Sequence, residues 1–250
     1  MNINIKYTLI IYYLYKTMNI AIIPARAGSK RIKNKNIKLF CGKPIIYYAI
    51  KAAKISKIFH KIIVSTDSLK IKKISEGYGA EVPFIRPASL SDDFTNTIDV
   101  VRHAIKMLSH NDNKKLNICC IYPTSPLIKK KDLVNSYKKF SKKKYSFLFS
   151  ASKFNYPVQR GFFLNKKNYI GMINKKNYKK RSQDLKQIFH DAGQFYWATK
   201  KTWINKKIVF DEKSSIFLLP RLRVQDIDTL EDWKIAEKLY KLNNEKNKKI

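Results

Sequence analysis

The sequence is poor in cysteine, glycine and proline. Its three cysteines (Cys41, Cys119, Cys120) are too few for a disulfide-stapled scaffold. Cys119 and Cys120 sit side by side in an apolar run, where buried free thiols are expected, so the protein reads as one of a reducing, cytoplasmic setting. Seven glycines and eight prolines in 250 residues exclude collagen-like and proline-rich classes. Long hydrophobic runs are lacking too. The run over residues 7–15 reaches about half of a membrane span. Lys6 precedes it and no small-residue cleavage site follows, so it is a poor signal peptide. Stable membrane insertion is not expected. Residues 1–17 are read as a non-native or disordered extension ahead of a strand that starts after Met18.

Negative charge is the scarcest property of all: 18 acidic residues stand against 52 basic ones, for a net charge of +34. Such an excess suits a polyanion. Only eight of the basic residues are Arg, however, and the Lys residues are spread along the chain beside abundant Asn, Ile, Tyr and Phe. An AT-rich coding sequence produces that mixture without any nucleic-acid partner, and none is expected. Where Lys is the default cation, each Arg marks a place for a planar, bidentate fork. At 44% hydrophobic residues the chain has enough apolar material for a sizeable core, which excludes wholesale disorder.

Hydrophobic patterning predicts alternating strands and helices. A strand over 19–23 ends at Pro24 and leads into a basic loop that runs to about Lys38. Helices are predicted over 44–57 (Ile45, Tyr48, Ala49, Ala52 and Ala53 on one face), 69–78, 97–109 and 132–140. Strands are predicted over 61–65, 81–84 and 117–122. This alternation implies an α/β fold, a Rossmann-like three-layer sandwich around a mostly parallel sheet. Ligands of such sheets bind beyond the carboxyl ends of the strands, so segments 24–36, 66–67 and 122–126 should converge. After residue 146 the pattern changes. Strands are predicted over 147–152, 194–198, 216–219 and 223–228, a hairpin from 162–164 and 169–173, a helical stretch over 181–188, and a last amphipathic helix over 231–242. Residues 18–240 are read as one domain, with about 151–190 protruding from the sheet and 241–250 a polar tail.

The loop after the first strand reads Ala25, Arg26, Ala27, Gly28, Ser29, Lys30, Arg31. It is neither a P-loop, since Ile23 occupies the first Gly position, nor a G-x-G-x-x-G turn. Small residues let backbone N–H groups approach an anion, and Arg26, Lys30 and Lys35 can neutralise phosphate oxygens. A solvated basic loop is the alternative; the position at a strand's carboxyl end and the two Arg favour phosphate. Asp226, Ile227 and Asp228 form a second constellation. In strand spacing the two carboxylates share a face and suit Mg²⁺, with Mn²⁺ able to substitute. The alternative has Asp228 capping the final helix, with Glu231 completing a capping box. The four His show no metal-ligand spacing.

Residues 20–50, together with KIIVSTDS, AEVPFIRPASLSDD, YPTSPL and VQDIDTLEDW, occur in the order seen in the sugar-acid cytidylyltransferases, which the chain resembles from residue 18 to about 240. SASKFNYPVQR and RSQDLKQIFHDAGQFYWA are similar to the pseudaminate-activating branch; the sialic acid and legionaminic acid enzymes are the alternative. Tyr122 stands where those relatives commonly carry Gln. The resemblance implies a nucleotide-diphospho-sugar transferase type of fold with a protruding dimerisation hairpin. It implies CTP plus pseudaminate giving CMP-pseudaminate and pyrophosphate, for surface glycan or flagellin glycosylation. It carries phosphate contacts onto Arg26, Ser29, Lys30 and Lys35, with Ala25, Ala27, Gly28 and Asn36 at the nucleotide, and cytidine contacts onto Arg86 and Thr97. It carries a metal onto Asp226 and Asp228, with Asp228 catalytic. It points to Tyr122, Arg160, Arg181, Gln183 and Gln194 for a nine-carbon 2-keto sugar acid, and to a homodimer.

Overall fold

A computed structural model of the protein describes residues 17–108 and 115–245. The extension expected over 1–17, apart from Thr17, lies outside the described residues, as do Ser109 and the last five residues of the tail. The central sheet has six strands: β1 (Met18–Pro24), β4 (Lys61–Ser65), β5 (Leu116–Ile121), β6 (Leu148–Lys153), β9 (Phe189–Thr199) and β10 (Ser215–Leu218). Their order is β10-β6-β9-β5-β1-β4. β1 pairs in parallel with β4 and β5, and β10 with β6, while β9 runs antiparallel between β5 and β6. The sheet is thus mixed and mostly parallel, as expected. Two short hairpins stand outside it, β2 (Leu39–Phe40) with β3 (Lys43–Pro44), and β7 (Phe162–Leu164) with β8 (Ile170–Met172).

Alternation along the strands builds two cores. Ala21 and Ile23 of β1, Cys119 and Ile121 of β5 and Trp197 of β9 face one side. There they meet helices α1 (Ile46–Ser56), α2 (Leu69–Gly77) and α4 (Lys130–Lys142). Ile20 and Ile22, Ile118 and Cys120, Tyr196 and Ala198 face the other side, against α3 (Thr97–Leu108) and α5 (Lys200–Asn205). Helices on both faces make the three-layer sandwich. The adjacent thiols are fully buried, one in each core. A third cluster joins Ile32, Phe40, Tyr48 and Ile227 to Trp233 and Ala236 of the last helix, α6 (Leu230–Glu245). Phe40 lies 5.6 Å edge-on from Trp233. This cluster fastens the end of the basic loop to the Asp226–Asp228 segment.

Three predicted elements differ. Residues 81–84 make one isolated bridge, at Glu81, because Pro83 has no N–H to continue a ladder. Residues 181–188 hold a single 3₁₀ turn, Ser182–Asp184, in place of a helix. Residues 223–228 form no strand; a 3₁₀ turn (Arg221–Arg223) is followed by irregular chain. The final helix also runs on to Glu245, into the stretch expected as a frayed tail. Among the described residues no helix is long and apolar enough to cross a membrane.

Candidate active site

A cavity of about 280 Å³ opens at the carboxyl end of the sheet. It brings together Arg26, Ser29, Lys30, Lys35 and Asn36 of the basic loop, Arg86, Thr95 and Thr97 from the chain leading into α3, and Tyr122 after β5. Two of the three expected post-strand segments line it. The third, at Asp67, works beneath: its carboxylate accepts a hydrogen bond from Ala27 N at 2.8 Å and shapes the loop.

Three N–H groups of that loop are engaged internally. Ala25 N donates to Ser65 O at 2.9 Å, and Ser29 N to Ala27 O at 2.8 Å. With Ala27 N spent on Asp67, the expected cradle is reduced to the remaining N–H groups, beside the side chains of Arg26, Lys30 and Lys35. Ala25 is buried below the cavity, and Gly28 sits exposed in open space. Asn36 is buried and structural in part, donating to Arg26 O at 2.9 Å.

Four of the loop cations, Arg26, Lys30, Arg31 and Lys35, are held by carboxylates. Asp93 lies 2.6 Å from Arg26 Nη2 and 2.6 Å from Lys30 Nζ. Hydrogen bonds from Lys30, then Arg26, hold the Asp93 carboxyl below its usual range. Asp92 braces the same turn, accepting from Thr95 N at 2.7 Å and Thr95 Oγ1 at 2.6 Å. Arg31 Nη2 lies 2.8 Å and Lys35 Nζ 3.5 Å from Asp228 Oδ1. The Asp92–Asp93 pair entered the sequence reading only as part of a motif. Its signal was rarity: adjacent carboxylates are conspicuous where acidic residues are few.

Asp226 and Asp228 flank the fully buried Ile227, whose carbonyl accepts from Lys35 Nζ at 2.7 Å. Anchoring by Ile227, in place of the expected strand, turns the two carboxylates outward. Partial desolvation, then the charge of Asp228, pushes the Asp226 carboxyl up. An all-oxygen pair under like-charge strain fits a hard divalent cation. Among the described residues no larger His/Cys/Asp/Glu group surrounds it, so water and substrate oxygens would complete the shell. Asp228 does not cap α6. Thr229 Oγ1 accepts from Asp232 N at 3.2 Å, and Asp232 Oδ2 from Thr229 N at 2.8 Å, so Thr229 and Asp232 form the capping box.

Arg86, expected at the cytidine, is buried, donates to Ser91 Oγ at 3.0 Å and has its guanidinium pushed down by desolvation. Thr97 Oγ1 and the Tyr122 hydroxyl are 2.9 Å apart. Other expected sugar contacts stand away from the cavity lining. Arg181 is exposed and pairs bidentately with Asp184, at 2.8 and 3.2 Å. Arg160 is exposed at the end of a 3₁₀ turn, and Gln183 lines a separate cavity of about 400 Å³. Gln194 is buried, its Nε2 donating to Arg223 O at 2.5 Å. Arg223 itself forms a buried ion pair with Asp132.

The cytidylyltransferase family profile matches residues 20–244. Pseudaminic acid cytidylyltransferase of Campylobacter jejuni is 46% identical over 227 residues, covering 91% of this chain and 98% of the relative. CMP-N,N'-diacetyllegionaminic acid synthase of Legionella pneumophila is 33% identical, covering 90% and 97%. The fold is similar to that of a CMP:2-keto-3-deoxy-manno-octonic acid synthetase solved with CTP, at a TM-score of 0.67 and 13% identity, covering 90% of this chain and 99% of that one. The chain belongs to the cytidylyltransferase family.

Proposed function

We propose that the protein transfers CMP from CTP to pseudaminic acid, releasing pyrophosphate. The observation that carries this reading is the 46% identity to the pseudaminate enzyme across nearly the full length of both chains, against 33% to the legionaminate one. The anomeric hydroxyl oxygen of the sugar acid attacks the α-phosphorus. The bond from that phosphorus to the β-bridging oxygen breaks, pyrophosphate leaves with the electron pair, and the hydroxyl proton passes to solvent. Such a displacement requires positioning and charge neutralisation.

Arg26, Lys30 and Lys35 take the triphosphate, while Arg86 and Thr97 face the cytidine. Asp226 and Asp228 hold Mg²⁺, or Mn²⁺ in its place, which neutralises phosphate charge when bound. Tyr122 faces the sugar acid. The exposed hairpin supports a homodimer: Phe162, Phe163, Leu164 and Ile170 are each more than half exposed, an apolar surface that a second copy would cover. Arg181 then serves the substrate carboxylate, leaving Asp184 to do so. Pyrophosphate release from CTP, measured with pseudaminate, legionaminate, N-acetylneuraminate and KDO side by side, tests the reading. Turnover should be fastest with pseudaminate; equal or faster turnover of another acid would refute it.

A further inference from the structure

Asp191 and Tyr196 lie five residues apart on β9. In a regular strand they would point to opposite faces. β9 is not regular. Its register against β6 shifts between Phe149 and Ala151, and Gly193 takes a φ of 59°, open to Gly but strained for other residues. Ser150 Oγ accepts both Gln194 N and Phe195 N at 3.1 Å, replacing the lost ladder bonds. This bulge resets the alternation. As a result the Tyr196 hydroxyl donates to Asp191 Oδ2, while Asp191 Oδ1 accepts from Gly193 N at 2.9 Å.

The chain of contacts continues into the active-site cavity. The Tyr196 ring packs 5.3 Å from Tyr122, tilted by 43°. Tyr122 N donates to Gln194 O at 2.9 Å, so the bulge also fixes the Tyr122 backbone. The Tyr122 hydroxyl ends against Thr97, and both of those residues line the cavity, whereas Tyr196 and Asp191 do not. In the sheet, β9 and β5 lie on the opposite side of β1 from β4. That is the side left for the second substrate once the nucleotide faces Arg86.

We propose that Asp191 and Tyr196 are positioning residues for the sugar acid, holding Tyr122 in the single orientation from which its hydroxyl selects that substrate. The inference rests on the sugar-acid reading above. Asp191 is the fixed end of the device, because a carboxylate only accepts and so dictates where the Tyr196 proton points. It is exposed, so the Asp191 oxygen freed by Tyr196→Phe is met by water and folding is spared.

The test is steady-state kinetics on the full chain with pseudaminate and CTP varied separately. Tyr196→Phe and Asp191→Ala should each raise the KM for pseudaminate roughly three- to tenfold. The KM for CTP should hold in both variants, and the melting temperature in Tyr196→Phe. Asp191→Asn, which keeps a carbonyl acceptor, should recover most of the loss. The double variant should be no worse than the poorer single one, because Asp191 acts through Tyr196. Multiplied effects in the double variant, a parallel rise in both KM values, or single variants within about twofold of wild type would overturn the inference. Those results leave the sugar-acid reading standing. A wild-type protein that turns over no sugar acid would overturn that reading and this inference with it.

Discussion

Asp93 occupies the place of an anion between the loop cations, one oxygen 2.6 Å from Arg26 and the other 2.6 Å from Lys30. A triphosphate that uses those side chains must break both contacts. Exposed ion pairs are individually weak, so the barrier is modest. Asp93→Asn should therefore tighten CTP binding by roughly two- to fivefold, read by calorimetry. Unchanged or weaker binding would show that Asp93 does not compete with phosphate.

Asp228 and Thr229 are neighbours with separable duties. Asp228→Ala should nearly abolish turnover at ordinary Mg²⁺ while leaving the melting temperature close to wild type, because the helix cap belongs to Thr229 and Asp232. Thr229→Ala should do the reverse, costing about 1 kcal/mol of stability with turnover retained. EDTA should remove wild-type activity and Mg²⁺ or Mn²⁺ restore it. Full activity in EDTA would refute the metal assignment.

Arg223 is buried against Asp132. Removing one member of a buried pair strands the other charge. Arg223→Ala should cost about 3–5 kcal/mol and lower the melting temperature by roughly 10 °C. The KM for CTP should stay within about twofold. A melting temperature equal to wild type would mean the pair is not a structural contact.

The hairpin predicts an assembly effect. Phe163→Asp with Ile170→Asp should shift the protein from dimer to monomer in sedimentation, and kcat/KM for the sugar acid should fall with it. Arg181→Ala should lower kcat/KM for pseudaminate by roughly 10- to 150-fold, the worth of a hydrogen bond to a charged group, and spare CTP binding. Equal loss for both substrates with a lowered melting temperature would mark Arg181 as a structural partner of Asp184.

Much of this architecture was legible because the strands and helices announce their own packing. The apolar runs at β1, β4 and β5 have few ways to be buried except inside a covered sheet, and Ala49, Ala52 and Ala53 mark the inward face of α1. The loop cations gathered where the strand order places them. The failures arise where tertiary partners decide. Residues 181–188 have helix-forming Gln and Lys but no apolar stripe to bury, so only one turn forms. Residues 223–228 were expected as a strand but find no strand to pair with; burial of Arg223 and Ile227 holds them instead. The resemblance carried a sugar contact onto Gln194. The bulge at Gly193, which no local pattern reveals, turns it inward toward Arg223 O.

A competition among sugar acids separates the candidate substrates directly. Limiting CTP is supplied with equimolar pseudaminate, legionaminate and N-acetylneuraminate, and the CMP-sugars are resolved by mass spectrometry and chromatography. CMP-pseudaminate should be the dominant product, with one pyrophosphate released per CMP-sugar formed. A dominant CMP-legionaminate or CMP-N-acetylneuraminate, or CTP consumed without any CMP-sugar, would contradict it.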